Sequence, residues 1–326
     1  MSRSLQHQRT LGTTGIEVSA VAMGCWPIAG MTSLDVNRSD SLATLRAAFN
    51  TGINFFDTAY CYGIHGESER LIGHAFGKER NQIVIATKGG IHWDSQRVRQ
   101  FAADPETLRQ QCDASLQRLG TDYVDLLYLH APDPRVPVAE SAGALLDLIR
   151  AGKTRSVGVS NFSVEQLDAF QAACPITAVQ PHYNMLQREI EAEIIPWCQR
   201  HQASVIVYWP LMKGLLAGGL ARDHVFAPGD GRAKYPMFQG QQWQRNQDLV
   251  DDLRRIANAI GKTVAQLVVA WTIAQPGIAV ALCGAKRASQ ILETAEAMEM
   301  QLADETLAEI DAALKRRGQA VSRPAL

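Results

Sequence analysis

The chain has 326 residues, a length that fits either two domains or one large α/β barrel. Hydrophobic residues make up 46% of it and charged residues 20%, which is enough apolar material for a large core. The formal net charge of −1 creates no strong attraction to nucleic acid or to an anionic membrane, so neither is expected as a partner.

The first residues and the cysteines predict a cytoplasmic protein. The segment MSRSLQHQRTLG lacks the apolar stretch of a secretory signal, and no run reaches the roughly 18 apolar residues of a membrane-spanning helix. Six cysteines stand singly without a CxxC pair, which predicts buried, reduced side chains and no metal site. None forms an obvious Cys/His nucleophilic pair. The six are Cys25, Cys61, Cys112, Cys174, Cys198 and Cys283.

Near the start of the chain, RTLGTTGIEVS is typical of a short β-hairpin, which we expect to close one end of the fold. Eight apolar runs of about five to eight residues follow, and helical patterns separate them. The predicted strands cover residues 18–25, 53–59, 82–90, 124–130, 155–162, 177–184, 204–210 and 278–286.

The helices between these strands begin and end at recognisable signals. Asp104, followed by a proline, is predicted to cap a helix that ends at Gly120. Ser163 is predicted to begin the helix after the fifth strand, with a glutamine three residues on as in a capping box. Two further helices, at about 247–260 and 263–275, are predicted before the eighth strand.

Strands that are apolar almost throughout, each followed by a helix, indicate parallel strands covered by helices. We therefore predict the α/β class and a (β/α)₈ TIM barrel with an N-terminal β-hairpin and extra C-terminal helices, in one domain spanning residues 1–326. A doubly wound open sheet is the competing fold, but no G-x-G-x-x-G follows the first strand. The alternation lapses at 217–247, which is too long for a bare connection and is predicted to be a functional lid or partly disordered.

Polar side chains follow several strands at their carboxyl ends, where barrel active sites assemble. Asp57 and Tyr62 follow the second strand, Lys88 the third, and His130 ends the fourth. Each alone has a structural explanation: a turn cap, a packing aromatic, a solvent-exposed lysine or a hydrogen-bonded histidine. Together they favour a shared site, because all four would meet at one end of one barrel. Later strand ends add Ser160, Asn161, Gln180 and Tyr208.

The first four residues suit proton donation to a substrate. A phenol has an ordinary pKa near 10, too high for ready proton exchange at neutral pH. An ammonium group about 4 Å away contributes about 4 kcal/mol at an effective dielectric constant of 20, so Lys88 is predicted to lower the pKa of Tyr62. Asp57 would keep Lys88 charged, and His130 would orient a carbonyl oxygen by a hydrogen bond.

The segments that carry these residues resemble the aldo-keto reductase family. GINFFDTAYCYG…ESERLIG is similar to the family's strand-two signature, and IATKGG, VDLLYLHAPDP, GKTRSVGVSNFS and AVQPHYN match later blocks in order and spacing. With HAPDP after strand four and GAKRASQ late in the chain, the sequence resembles the bacterial and potassium-channel-β-like branch more than the mammalian aldose reductase branch. The resemblance implies a catalytic tetrad of Asp57, Tyr62, Lys88 and His130. It also implies an oxidoreductase that reduces aldehydes or ketones to alcohols by hydride transfer from NADPH, with Tyr62 as general acid.

The resemblance further implies that NADPH lies across the barrel mouth without a Rossmann fold. Ser160, Asn161 and Gln180 would bind the carboxamide, and Tyr208 would stack on the nicotinamide ring. YWPLMKGLL would embrace the pyrophosphate, and CGAKRASQILETA would bind the 2′-phosphate and adenine, with added charge from Arg287. The implied cofactor-binding residues are Gly24, Cys25, Trp26, Ser160, Asn161, Gln180, Tyr208, Trp209, Pro210, Leu211, Lys213, Gly214, Gly284, Lys286, Gln290, Glu293 and Thr294.

Two residues depart from the family pattern, and four features bear on the substrate. Trp209 stands where many members carry serine, and Thr294 stands where asparagine is common. Trp26, His65, Trp93 and residues 217–247 are predicted to line a pocket for a modest apolar or aryl carbonyl compound.

Two other functions are considered beside carbonyl reduction. One is an NADPH-binding regulatory subunit in which slow catalysis serves redox sensing. The other is a barrel isomerase or aldolase, in which Lys88 would form a Schiff base. The substrate, the choice between NADPH and NADH, the direction of reaction, and a monomeric or homo-oligomeric state stay open.

Overall fold

The computed structural model describes residues 8–31 and 35–321, and its strands are organised around one closed barrel. The strands in these residues are β1 (Gln8–Thr10), β2 (Glu17–Ser19), β3 (Val21–Gly24), β4 (Phe55–Asp57), β5 (Val84–Gly89), β6 (Ile91–Trp93), β7 (Arg99–Phe101), β8 (Leu126–Leu129), β9 (Val157–Ser160), β10 (Ala178–Gln180), β11 (Ser204–Val207) and β12 (Ile278–Gly284). The barrel contains β3, β4, β5, β8, β9, β10, β11 and β12 in chain order, and every neighbouring pair is parallel. Since β12 pairs with β3, the predicted (β/α)₈ TIM barrel is confirmed and the open sheet is excluded.

Helices follow every barrel strand and form the outer layer. They are α1 (Arg38–Asn50), α2 (Glu67–Phe76), α3 (Pro105–Leu119), α4 (Val138–Arg150), α5 (Val164–Gln171), α6 (Ile194–His201), α7 (Gly240–Ala259), α8 (Val264–Ala274), α9 (Ala288–Ala295) and α10 (Asp304–Arg317). Neighbours such as α3 and α4, or α1 and α9, pack against each other around the barrel. No single helix of the described residues is long and apolar enough to cross a membrane, although α7 and α8 meet those limits jointly with a 90° bend between them.

The predicted helix signals are found where the sequence places them. The Asp104 side chain accepts the Thr107 N–H at 2.9 Å, and Gly120 ends α3 in the left-handed conformation at φ 65°. At α5, Ser163 and Gln166 each accept the other's backbone N–H, which completes the predicted capping box.

The N-terminal hairpin closes the amino-terminal end of the barrel, as predicted. Strands β1 and β2 pair antiparallel, and the Gly12 N–H donates to Ser204 Oγ at 2.9 Å, at the first residue of β11. Apolar side chains of the hairpin enter the barrel interior, where they pack in one cluster with β4, β8 and β11 residues. These side chains are Leu11, Ile16 and Val18.

Both faces of the barrel sheet are apolar because strand residues alternate between the interior and the helix layer. Phe55 and Leu126 belong to the interior cluster, whereas their neighbours Phe56 and Leu127 pack under the helices. This two-sided burial explains why the barrel strands read as continuous apolar runs.

Two features differ from the sequence prediction. Helix α7 begins at Gly240 rather than near 247. The sequence prediction missed its first turns because they are rich in glutamine and show little apolar periodicity. These turns are held by the buried Trp243 and by Asn246, which donates to the Met237 carbonyl. A second hairpin, β6–β7, was not predicted, since strands of three residues are too short to show an alternating pattern.

Candidate active site

The four residues predicted to act on substrate meet at the carboxyl end of the barrel. Asp57 ends β4, Lys88 lies near the end of β5, and His130 directly follows β8. Lys88 Nζ lies 2.5 Å from Asp57 Oδ1 and donates to the Tyr62 hydroxyl at 3.4 Å. The Tyr62 and His130 rings are 5.9 Å apart, edge to face. The arrangement brings together a phenol, an ammonium group, a carboxylate and an imidazole.

Asp57 and Lys88 form a buried ion pair, with side chains 2% and 1% exposed. Lys88 also donates to the Thr58 carbonyl oxygen at 2.8 Å, and Gln180 Nε2 donates to Asp57 Oδ2 at 2.8 Å. Burial raises the pKa of Asp57, while the charge of Lys88 and the hydrogen bonds from Lys88 and Gln180 oppose the rise. The carboxylate therefore fixes the lysine, as predicted from the sequence.

The predicted lowering of the Tyr62 pKa is wrong. Burial raises the pKa of Tyr62 well above its usual value, and the Asp57 carboxylate adds to the rise. The prediction counted the charge of Lys88 but neither the desolvation of the phenol, which is the largest cause of the rise, nor the negative charge of Asp57. At neutral pH the phenol stays protonated, so Tyr62 is available as a proton donor.

His130 is a neutral imidazole that contacts a cysteine. Burial lowers the pKa of His130 well below its usual value, and the charges of Lys88 and Arg99 lower it further. Its Nδ1 lies 3.6 Å from Cys61 Sγ, although no Cys/His pair was expected from the sequence. Burial raises the pKa of Cys61 to about 12, so the thiol is not a nucleophile. The sequence offers one signal for this contact: Cys61 directly precedes Tyr62, which was itself predicted to lie near His130.

The loop that carries Tyr62 is held by groups that the sequence analysis did not identify. Trp93 Nε1 donates to the Cys61 carbonyl at 2.7 Å, and Arg118 donates to the Tyr60 carbonyl at 3.1 Å. Arg118 also pairs with the fully buried Glu69 at 3.1 Å. Charged residues at the inner positions of amphipathic helices are the sequence signal that could have predicted this pair.

Predicted carboxamide-binding residues form one hydrogen-bonded group beside the ion pair. Ser160 Oγ donates to the Gln180 carbonyl at 2.7 Å, and Asn161 Nδ2 donates to the His130 carbonyl at 3.0 Å. The Tyr208 hydroxyl donates to Asn161 Oδ1 at 2.8 Å. These bonds connect the ends of β9, β10 and β11 to the residue that follows β8.

The loop after β11 contains three non-glycine residues in the left-handed conformation, and it contacts the 217–247 region. Trp209, Met212 and Lys213 have φ values of 61°, 44° and 56°, in the left-handed region. Lys213 Nζ lies 4.1 Å from the Trp209 ring centre and 4.7 Å from that of Tyr235. Tyr235 therefore joins the 217–247 region to the predicted pyrophosphate loop. This loop also contains Pro210, Leu211 and Gly214.

The predicted adenosine-binding residues surround the start of α9. Gln290 Oε1 accepts the N–H groups of Lys286 and Arg287 at 2.8 and 3.1 Å. The Thr294 hydroxyl donates to the Gln290 carbonyl, so this threonine faces its own helix. Glu293, on the same helix, is partly exposed. The two side chains Gln290 and Thr294 thus have structural partners at this end of the site.

Residues at the first barrel strand lie under and beside Tyr62. Gly24 pairs with Gly284 across β3 and β12, and the N–H of the buried Cys25 donates to the Asp57 carbonyl at 2.8 Å. The Trp26 ring meets the Tyr62 ring edge to face at 4.9 Å. Of the predicted substrate residues, Trp26 and Trp93 therefore adjoin the site.

The third predicted substrate residue, His65, is exposed in the loop before α2. Its N–H donates to Glu67 at 2.9 Å, and its carbonyl accepts from Arg70 at 3.1 Å. These contacts are local, and they do not connect His65 to the four central residues.

The donor groups along this end of the barrel fit a nicotinamide dinucleotide. Cationic side chains at the β11 loop and at the start of α9 suit its phosphates, and the amino end of α9 adds partial positive charge. The amide and hydroxyl groups at the ends of β9 and β10 suit a carboxamide. The cationic residues are Lys213, Lys286 and Arg287.

Known proteins resemble this chain in sequence over most of its length. The family model "Aldo/keto reductase family" matches residues 20–315. The chain is 36% identical to aldo-keto reductase YhdN of Bacillus subtilis over 310 residues, which covers 94% of this chain and 93% of the relative. It is 33% identical to the NADH-specific methylglyoxal reductase of Escherichia coli over 309 residues, covering 90% and 94%.

Solved structures of aldo-keto reductases superpose on this chain over nearly its whole length. The glycerol dehydrogenase AKR11B4 from Gluconobacter oxydans superposes with a TM-score of 0.90 at 32% identity, covering 99% of each chain. An aldo-keto reductase from Klebsiella pneumoniae, solved in complex with NADPH, superposes with a TM-score of 0.75 at 28% identity, covering 98% of this chain and 100% of the other.

Proposed function

Because this chain belongs to the aldo/keto reductase family, whose members are oxidoreductases that use a nicotinamide cofactor, we propose that it reduces a small aldehyde or ketone with NADPH. Ser160, Asn161 and Tyr208 would hold the nicotinamide end, and Lys286 with Arg287 would hold the 2′-phosphate. The cofactor supplies the hydride that reaches the carbonyl carbon.

The residues of the chain supply the proton and stabilise charge on the substrate oxygen. Tyr62 donates its hydroxyl proton to that oxygen, so that hydride and proton together convert the carbonyl into an alcohol. Lys88, 3.4 Å from the hydroxyl, stabilises the phenolate that forms. Neutral His130 donates a hydrogen bond to the same oxygen. Asp57 and Gln180 keep Lys88 in place.

One observation carries this proposal: the half-buried Tyr62 phenol, whose raised pKa keeps it protonated at neutral pH, lies next to a lysine fixed by a carboxylate. A phenol in this environment is a proton donor with a cation ready for its conjugate base. The arrangement leaves Lys88 hydrogen-bonded to Asp57, Thr58 and Tyr62, which disfavours its use as a Schiff-base lysine.

We place the substrate among small oxygenated carbonyl compounds. Two of the related proteins are named for methylglyoxal and for glycerol, which share a three-carbon skeleton. The rings of Trp26 and Trp93 beside Tyr62 add apolar surface and extend the range to compact aryl aldehydes. A panel of methylglyoxal, glyceraldehyde, dihydroxyacetone and benzaldehyde covers these classes.

Replacing Tyr62 tests the proposed function. Tyr62→Phe should lower kcat for every reduced substrate by about 10²- to 10⁴-fold, the usual contribution of a positioned acid, and should leave the Kd for NADPH unchanged. Steady-state kinetics and nucleotide titration measure the two quantities. Tyr123→Phe, which alters a tyrosine packed on Arg80 before β8, is the control and should behave as the unmodified protein.

Undiminished reduction by Tyr62→Phe would refute the assigned acid. Very slow turnover of the whole panel by the unmodified protein, with nucleotide retained through purification, would instead favour the redox-sensing regulatory subunit.

A further inference from the structure

Hydrogen bonds hold the backbone on both sides of the contact between Cys61 and His130. The Cys61 carbonyl accepts from Trp93 Nε1 at 2.7 Å, and the Tyr62 N–H donates to the Ala59 carbonyl at 2.9 Å. The His130 N–H donates to the Gly89 carbonyl at 2.9 Å, and its carbonyl accepts from Asn161 at 3.0 Å. The distance of 3.6 Å from Sγ to Nδ1 is therefore set by the fold.

The chemistry of the two groups determines the direction of this hydrogen bond. Cys61 is 3% exposed and packs with Ile91 and Ala131, and in the described part of the chain Nδ1 of His130 is the one acceptor for its S–H. With a pKa raised to about 12 by burial, the thiol keeps its hydrogen at neutral pH. The imidazole is neutral, so one ring nitrogen is a donor and the other an acceptor. The S–H is a weak donor and the sulfur a weak acceptor, but an Nδ1–H directed at sulfur would leave the buried S–H without an acceptor in the described residues, which favours S–H to Nδ1.

We propose that Cys61 is a positioning residue, whose thiol donates to Nδ1 of His130 and holds the imidazole in the tautomer with its hydrogen on Nε2. In this tautomer Nε2 can donate to a carbonyl oxygen. In the other tautomer Nε2 would present a lone pair to that oxygen and repel it. The consequence for turnover rests on the proposed carbonyl reduction, whereas the tautomer itself does not.

Nitrogen NMR of the full-length protein reads the tautomer directly. In protein labelled with ¹⁵N-histidine, protonated and unprotonated ring nitrogens have well-separated shifts, and His130→Gln identifies the signals of His130. The unmodified protein should show a hydrogen on Nε2 and none on Nδ1. Cys61→Ala should shift the Nδ1 signal and introduce the second tautomer. Cys61→Ser, which restores a donor, should return the original tautomer.

Kinetics of the same variants test the effect on the reaction. Cys61→Ala should lower kcat by about two- to tenfold, the size that one neutral hydrogen bond contributes, without changing the Kd for NADPH. Cys61→Ser should recover kcat to within about twofold of the unmodified protein. Cys198→Ala removes another buried cysteine, on α6, and should leave both kcat and the His130 spectrum unchanged.

The outcomes separate this inference from the proposed function. A hydrogen on Nδ1 in the unmodified protein, or an unchanged His130 spectrum in Cys61→Ala, would overturn it whatever the activity. A hydrogen on Nε2 that is lost in Cys61→Ala supports it, even if no carbonyl compound of the panel is reduced.

Discussion

At the scale of single residues, burial decides the protonation of the site more than any pair of neighbouring charges. It raises the pKa of Tyr62 and lowers that of His130, so both are neutral groups that can donate hydrogen bonds at neutral pH. Lys88 is a cation held in a fixed position by Asp57, and the ion pair as a whole has no net charge. The proposed carbonyl reduction would use this combination, because its substrate is neutral and gains negative charge only during hydride transfer.

The lowered pKa of His130 predicts a specific loss of stability in acid. Below about pH 6.5, where a histidine of the unfolded chain binds a proton, the native state resists binding one at His130, so the free energy of unfolding falls as the pH drops toward the lowered pKa. Urea denaturation of the unmodified protein between pH 8 and pH 5 should show this fall, and His130→Gln should show a smaller one.

His74→Gln, which replaces an exposed histidine on α2, is the control and should retain the full acid loss. Identical pH dependence in His130→Gln and in the unmodified protein would show that His130 is not the group responsible.

Residue positions were predictable from the sequence, whereas their electrostatic environment was not. Asp57, Lys88 and His130 interrupt or end apolar runs, and parallel strands of a barrel bring such positions to one end. The rise in the pKa of Tyr62 depends on burial and on distances of a few ångströms, which no spacing in the chain encodes. The contact of Cys61 with His130, between residues 69 positions apart, depends in the same way on loop conformation.

At the scale of elements, strong local signals were predicted well and weak ones were missed. Barrel strands are apolar on both faces, and helices such as α3 carry caps at both ends. The β6–β7 hairpin and the first turns of α7 have neither signal, and they form because tertiary contacts hold them, as at Trp243. Hairpin β1–β2 is intermediate, since its turn residues are local but its apolar side chains are stabilised inside the barrel.

The N-terminal hairpin should contribute stability without contributing to catalysis. Leu11 is fully buried in the barrel interior, so Leu11→Ala should lower the free energy of unfolding by about 3–5 kcal/mol. Because the hairpin lies at the end of the barrel opposite to Tyr62, kcat should stay unchanged at temperatures where the variant is folded. Urea denaturation and steady-state kinetics measure these two effects.

Leu292→Ala makes the same change at a leucine that is 43% exposed, and it should cost less than about 0.5 kcal/mol. Equal destabilisation by both variants would mean that the hairpin does not pack inside the barrel in solution.

At the scale of the whole molecule, closure of the barrel gathers the proposed cofactor contacts from distant parts of the chain. The ends of β9 and β10, the loop after β11 and the start of α9 share one face, and Tyr235 connects that face to the 217–247 region through Lys213. The closed topology and the family were predicted from the sequence, and both are confirmed. In the proposed function, the preference for one nucleotide would depend on a few side chains at the start of α9, and the relatives include an NADH-specific enzyme.

Nucleotide binding should therefore stabilise the whole molecule in a way that depends on the 2′-phosphate. At 100 times its Kd, NADPH should raise the free energy of unfolding by about 2.7 kcal/mol, and NADH at the same concentration should raise it less. Arg287→Ala removes a cation from the start of α9, so it should weaken NADPH binding and leave NADH binding nearly unchanged. Thermal unfolding with each nucleotide, referenced to the same variant without nucleotide, separates this effect from any change in the cap of α9.

Arg109→Ala, which removes an exposed arginine paired with Asp147 on the helix layer, should keep the original preference. Stronger stabilisation by NADH than by NADPH would contradict the proposed preference for NADPH. An equal loss of both nucleotides in Arg287→Ala would show that Arg287 does not contact the 2′-phosphate, because a contact there is made by NADPH alone.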